Sequence, residues 1–89
     1  MKIKLELFGA SRDFSNKGHL NLEIQEKASV YDLRNEIIKY LDKNFKGNES
    51  FIKVVKSSAF CSEDNNIIND NYKIIKDQKI GIIPPIGGG

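Results

Sequence analysis

Cysteine and histidine are nearly absent from this chain, and each shortage closes off a class of chemistry. The one cysteine, Cys61, has no partner for an intramolecular disulfide, and the one histidine, His19, cannot build a zinc site with it without further ligands. No apolar run is long enough to span a bilayer, so no membrane insertion is expected. Charge of one sign is not concentrated anywhere. Fourteen Lys plus Arg against twelve Asp plus Glu leave a formal net charge of +2 with the basic residues scattered, which argues against nucleic acid as a partner. The opening MKIKLELF lacks the apolar stretch of a signal peptide, and the expectation is a reducing, cytoplasmic setting. With 89 residues, 39% hydrophobic and 29% charged, the chain has material for one modest core and no second domain.

What is present is patterned. Over residues 2–8, Ile3, Leu5 and Leu7 alternate with Lys2, Lys4 and Glu6, the period of a half-buried strand. The stretch from Gly9 to Gly18 is rich in turn formers, and after it Leu20, Leu22 and Ile24 alternate with Asn21, Glu23 and Gln25. These segments predict a long-looped hairpin. Val30, Leu33, Ile37, Ile38, Leu41 and Phe45 recur at helical spacing behind Ser29, an N-cap residue with Asp32 at the third helical position. Lys43, Lys46 and Gly47 mark the end of that helix. Residues 51–55 and 79–83 read as a third and a last strand, the latter stopped by Pro84-Pro85. The polar stretch 61–71 reads as a loop or loose hairpin excursion, and 72–75 as a short strand.

This order predicts an α+β fold of the β-grasp, ubiquitin-like kind: a mixed sheet crossed by one main helix, with the first and last strands parallel at its centre. Residues 1–83 form the domain. Residues 84–89 form an extended tail in which Pro84 and Pro85 end the ladder and act as a stiff stalk, followed by Ile86, Gly87, Gly88 and Gly89. Glycines without side chains pass through a channel too narrow for a Cβ, and an unhindered terminal carboxylate at Gly89 is open to attack. A fraying terminus is the plainer reading of such an end, weakened by the stalk that precedes it.

The pieces LFGASRDF, SVYDLRNEI, KIGIIPP and the terminal Gly-Gly together resemble the MoaD-type small subunits of molybdopterin synthase, within the MoaD/ThiS family of ubiquitin-like sulfur carriers. The resemblance spans the chain. Two departures stand out: the turn before the last strand is shortened to Lys76-Asp77-Gln78, and 61–71 is longer than usual. The resemblance implies that an adenylyltransferase of the ubiquitin-activating type spends ATP to adenylate Gly89, and that a persulfide donor then leaves a thiocarboxylate there. It further implies that the tail enters the large synthase subunit and delivers sulfur to cyclic pyranopterin monophosphate in molybdenum cofactor synthesis. This chain would be a cosubstrate that binds no cofactor or metal of its own. Related alternatives are a carrier for thiamin or tRNA thiolation and a ubiquitin-like modifier joined to lysines. A β-grasp binding module without tail chemistry is the alternative from another class.

Phe8 shares the parity of Lys2, Lys4 and Glu6, and Ile83 opposes Ile80 and Ile82, so both point away from the expected core. On parallel neighbouring strands they would form an exposed apolar patch where the tail emerges, suited to a partner that grips the tail. The competing reading has Phe14 of the loop covering a small patch. Cys61 is read as an ordinary small residue, His19, Arg12 and Lys79 as solvated, and Asp32 and Glu36 as helix cap and solvated surface.

Overall fold

The computed structural model describes residues 1–85. The elements are β1 (Lys2–Leu7), a 3-10 turn (Gly9–Phe14), β2 (His19–Glu23), α1 (Val30–Phe45), α2 (Glu49–Ser57), β3 (Ala59–Cys61), β4 (Ile67–Ile68) and β5 (Gln78–Ile83). They build a five-stranded sheet in the order β2-β1-β5-β3-β4. β1 pairs antiparallel with β2 and parallel with β5, with Leu5 opposite both Leu20 and Ile80. The central parallel pair and the hairpin are as the alternation predicts. Ile3, Leu5, Leu7, Ile80 and Ile82 all face one side and are buried under α1, whose Val30, Leu33, Ile37 and Leu41 complete the core. Burying each such side chain is worth roughly 1.5–3 kcal/mol, which makes this layer the main source of stability.

Both ends of α1 are where the caps place them. The Asp32 N–H donates to Ser29 Oγ at 3.2 Å, while the Ser29 N–H and hydroxyl donate to Asp32 Oδ2 at 2.9 and 3.0 Å. The backbone donor first, then the hydroxyl, hold the Asp32 carboxyl below its ordinary value of 3.8. The helix ends at Lys46 in the left-handed region (φ 54°), followed by Gly47 at φ 70°.

The stretch expected as a third strand is a helix instead. In α2 the apolar residues Phe51, Val54 and Val55 fall at the i, i+3, i+4 spacing that puts them on one face, against the core and the Phe14 ring. Asn48 caps it by accepting the Phe51 N–H at 3.1 Å. Burial of one face therefore overrides the β-branched composition of FIKVV. At its other end, Arg34 of α1 donates to the carbonyls of Val55 at 2.7 Å and Ser58 at 2.8 Å, to Asp70 Oδ1 at 2.6 Å, and lies over the Phe60 ring. A cation at a helix C-terminus satisfies carbonyls that have no intrahelical partner.

The third strand, β3, thus begins at Ala59, eight residues later than the pattern suggested at Phe51. The polar excursion 61–71 contains a small hairpin: Phe60 pairs with Ile68 and Cys61 with Ile67. Residues 72–75 form no strand. Lys73 makes a single bridge to Ser29, and buried Ile74 donates its N–H to Ala28 O at 2.8 Å. A loop strapped across the start of α1 buries Ile74 without needing a ladder. The Gly9–Gly18 connection holds the 3-10 turn, and its Phe14 is fully buried, 5.1 Å from the Phe51 ring.

Two consequences for stability can be measured. Arg34→Ala removes the side-chain donor shared by the C-terminal carbonyls of α2 and the Asp70 carboxylate, and urea denaturation should show a loss of roughly 2–3 kcal/mol, against less than about 0.5 for Lys39→Ala on the exposed Glu36 pair. A loss no larger than the control would mean that Arg34 is not the anchor of α2. For Asp32 the depressed value means a contribution present above pH 3.8 and lost as pH falls through the folded value. The stability difference between wild type and Asp32→Asn should therefore be constant near neutrality and shrink only below pH 3.8.

Candidate functional site

The side of the sheet away from α1 is open, and its character changes along the strands. At the end where β1 and β5 start, Lys2, Lys4 and Lys79 make it charged. At the end where both strands finish, Phe8, Gly81 and Ile83 make it apolar. Phe8 is 47% exposed and Ile83 37%, and both lie at the point where the chain leaves the sheet. With Cys61 they line a shallow depression of about 380 Å³, bordered on the charged side by Lys79, whose Nζ lies 3.1 Å from Glu6 Oε1.

The Phe8 ring is held there by two residues that the sequence reading passed over. Ser11, fully buried, accepts the Phe8 N–H at 3.0 Å and returns its hydroxyl proton to the Phe8 carbonyl at 2.6 Å, while its own N–H donates to the same carbonyl at 3.1 Å. This closed set of bonds fixes the backbone at the exit from β1 and with it the direction of the ring. Opposite stands Gly81, in register with Glu6 on one side and Cys61 on the other. A Cβ at Gly81 would come within 3.0 Å of Phe8 Cε2. Glycine thus lets the ring lie flat across β5. Its signal was in the sequence, since an isolated glycine inside KIGII marks a close approach. Ser11 had a fainter one, the three-residue spacing from Phe8 that a capping box uses.

Phe14 does not cover the patch, because it is buried on the opposite side of the sheet. Cys61 is half-buried in the wall of the depression, its thiol directed at the Ser62 carbonyl at 3.5 Å. His19 stands on β2, away from the patch. Lys79 pairs with Glu6 within the chain.

The tail leaves β5 between the 3-10 turn and α2. Pro84 is buried, and a Cβ built on Gly9, itself at φ 55°, would meet its ring at 3.8 Å. Ala10, Val54, Pro84 and the exposed Pro85 surround a smaller cavity of about 210 Å³. The first proline is therefore packed into the domain, and the stalk starts at the second. Ile86, Gly87, Gly88 and Gly89 lie outside the described residues. Among the described residues no helix is long and apolar enough to cross a membrane, and no cluster of three or more His, Cys, Asp or Glu is placed to hold a metal.

No protein-family model matches the chain, and no curated protein does. Solved structures do match. A Pyrococcus furiosus protein named provisionally as molybdopterin converting factor subunit 1 superposes with a TM-score of 0.71 at 22% identity, over 97% of this chain and 99% of that one. SAMP1 from Haloferax volcanii gives 0.69 at 12% identity over the full length of both. ATBAG1, from its complex with HSP70, gives 0.57 at 14% identity over 99% of this chain and 42% of that one. Together with the five-stranded mixed sheet and its crossing helix, these neighbours establish an α+β, β-grasp, ubiquitin-like fold.

Proposed function

We propose that this chain is a MoaD-type sulfur carrier, the small subunit of a molybdopterin synthase, and that Gly89 bears the sulfur as a terminal thiocarboxylate. The observation that carries the reading is the joint exit of β1 and β5. Phe8 and Ile83 present an apolar patch beside buried Pro84, at the root of a stalk that starts at Pro85 and is followed in sequence by Ile86 and three glycines. A partner that buries the patch receives the tail at a fixed distance from it. The full-length match to a molybdopterin converting factor subunit 1 supports the same reading and implies a large-subunit partner.

The chemistry follows from the weakness of a carboxylate as an electrophile. An adenylyltransferase transfers AMP from ATP to the Gly89 carboxylate with release of pyrophosphate. The terminal sulfur of a protein persulfide attacks the acyl carbon and expels AMP, giving an acyl disulfide. A thiol then cleaves the S–S bond and leaves the thiocarboxylate. That anion is a good nucleophile near neutral pH, because a thioacid ionises more readily than a thiol. The large synthase subunit supplies the catalytic groups, and the sulfur passes to cyclic pyranopterin monophosphate. In this reading the chain works in the cytoplasm, with Pro84 holding the root of the tail in the domain and Pro85, Ile86, Gly87 and Gly88 threading the partner's channel.

Intact mass of the chain, incubated with an activating enzyme, ATP and a persulfide donor, tests the central step. One oxygen should be exchanged for sulfur at Gly89, and deletion of Gly88-Gly89 should abolish the exchange. An unchanged mass with an enzyme active on its own carrier overturns the reading, and lysine conjugates that vanish with the same deletion would assign a protein modifier instead. The docking half is tested separately. Phe8→Ala, Ile83→Ala and Gly81→Val, the last by displacing the ring, should each weaken binding to the large subunit about tenfold. Phe8→Ala and Ile83→Ala should also cost less stability than Leu5→Ala, which empties a core site worth about 2–5 kcal/mol. Unchanged affinity in all three variants would remove the patch from the interface.

A further inference from the structure

The sheet has two edges, and only one is blunted. β4 is a two-residue strand, too short to template pairing. β2, at the opposite edge, runs for five residues with no proline in it. Its backbone polarity can be worked out from its bonds to β1. The Leu7 N–H donates to Gly18 O at 3.1 Å and the Ile24 N–H to Met1 O at 2.9 Å, so the even-numbered residues of this stretch turn their backbone groups toward β1. In an antiparallel ladder such bonded pairs alternate with unbonded ones. His19, Asn21 and Glu23 consequently turn their N–H and C=O groups to the free edge, where β1 cannot reach them.

We infer that this chain forms a two-fold symmetric dimer by antiparallel pairing of β2 with β2 of a second copy, centred on Asn21. The register follows from the outward residues. Centred on Asn21, each His19 stands opposite the second copy's Glu23, and Asn21 stands opposite itself, so every outward N–H and C=O finds a partner. The cross-strand pairs are then an imidazole with a carboxylate and an amide with an amide, both favourable. Centring on His19 or on Glu23 would set like residues face to face and leave the far end of the strand unpaired. A surface that complements itself in this way is what a two-fold contact requires.

Other features of the edge fit. Glu23 is 71% exposed and so accessible from the edge, although its Oε2 lies 3.3 Å from the Met1 ammonium on the β1 side. On the helix side of the same strand, Leu20 meets the second copy's Leu22. Leu22 and Ile38 of α1 are only partly covered within one copy, and the pairing adds apolar surface next to them. The two-fold axis stands perpendicular to the sheet, so the open faces of both copies look the same way. β1 lies between β2 and β5, and the tail exits remain free. The dimer is therefore independent of the sulfur-carrier reading.

A single strand edge buries far less than the roughly 800 Å² per partner of a standard interface, so association should be weak, with a Kd on the order of 100 µM. Sedimentation velocity of the full chain from about 10 µM to about 1 mM should show a monomer shifting to a dimer across that range. Asn21→Pro removes an N–H that bonds nothing within the monomer and should abolish the dimer while leaving the circular dichroism of the monomer unchanged. His19→Glu sets carboxylates opposite one another and should weaken the dimer about tenfold, and combining it with Glu23→His should restore it. A chain that stays monomeric to about 1 mM, leaving the edge to a strand of another protein, overturns the inference. So does a dimer indifferent to Asn21→Pro and His19→Glu, or one that the charge exchange fails to restore.

Discussion

The parallel pairing of β1 with β5 is the constraint on which the rest depends. It joins the two ends of the chain, Ile3 opposite Gln78 through Leu7 opposite Ile82, and everything between has to fit over or beside that pair. Parallel neighbours need a crossover, and α1 provides it with an apolar stripe that covers the buried side of both strands. Because the strands run in the same direction, they also finish together. Phe8 and Ile83 become neighbours, and the tail leaves where the exposed apolar surface lies. An antiparallel pair would have sent the tail off at the charged end, next to Lys2 and Lys4.

The exit is shaped by a second layer of contacts whose centre is Arg34. Its guanidinium joins α1 to the carbonyls that end α2, to the Asp70 carboxylate and to the face of Phe60. Through it, the position of α2 is tied to the main helix. α2 in turn supplies Val54 to the wall beside Pro84 and Pro85. The stalk is thus set by packing as well as by the fixed φ of proline: a buried first proline holds the direction in which the second leaves. The root of the tail is therefore packed in place beside the patch.

How far this was legible in the sequence depended on whether one period dominated. β1 and β2 carry an unmixed alternation, α1 a helical stripe with both caps and β5 a β-prone run stopped by two prolines, and they stand where those patterns put them. Residues 51–55 carry a β-branched composition and a helical spacing at once, and over five residues the two cannot be separated. Phe14 and a donor from distant Arg34 decide between them, and neither is visible locally. The 72–75 stretch fails as a strand for a related reason. Its Ile74 is held by burial and one backbone bond to Ala28, a long-range arrangement without periodicity. At the candidate site, parity alone located Phe8 and Ile83 because a strand offers a side chain only two directions. Parity is silent about what stands across the neighbouring strand, and so the roles of Gly81 and Ser11, which make room for the ring and lock its backbone, had only local signals in the sequence and became specific in the structure.

The open face also shows how one small sheet can separate its tasks. Along β1 and β5 it passes from lysines to apolar side chains, with the Glu6–Lys79 pair at the boundary. That pair contributes little to stability, being partly exposed to solvent. At a protein interface its effect differs: a partner that buries Phe8 and Ile83 brings its rim to Glu6 and Lys79, where unmatched charge costs more than it does in water. The apolar end therefore offers area to bury, and the charged boundary sets a cost on mismatched charge beside it. Both lie within a few residues of Pro84, where the chain leaves the sheet. The apolar patch and the exit of the chain are in this way brought together by the direction in which two strands run.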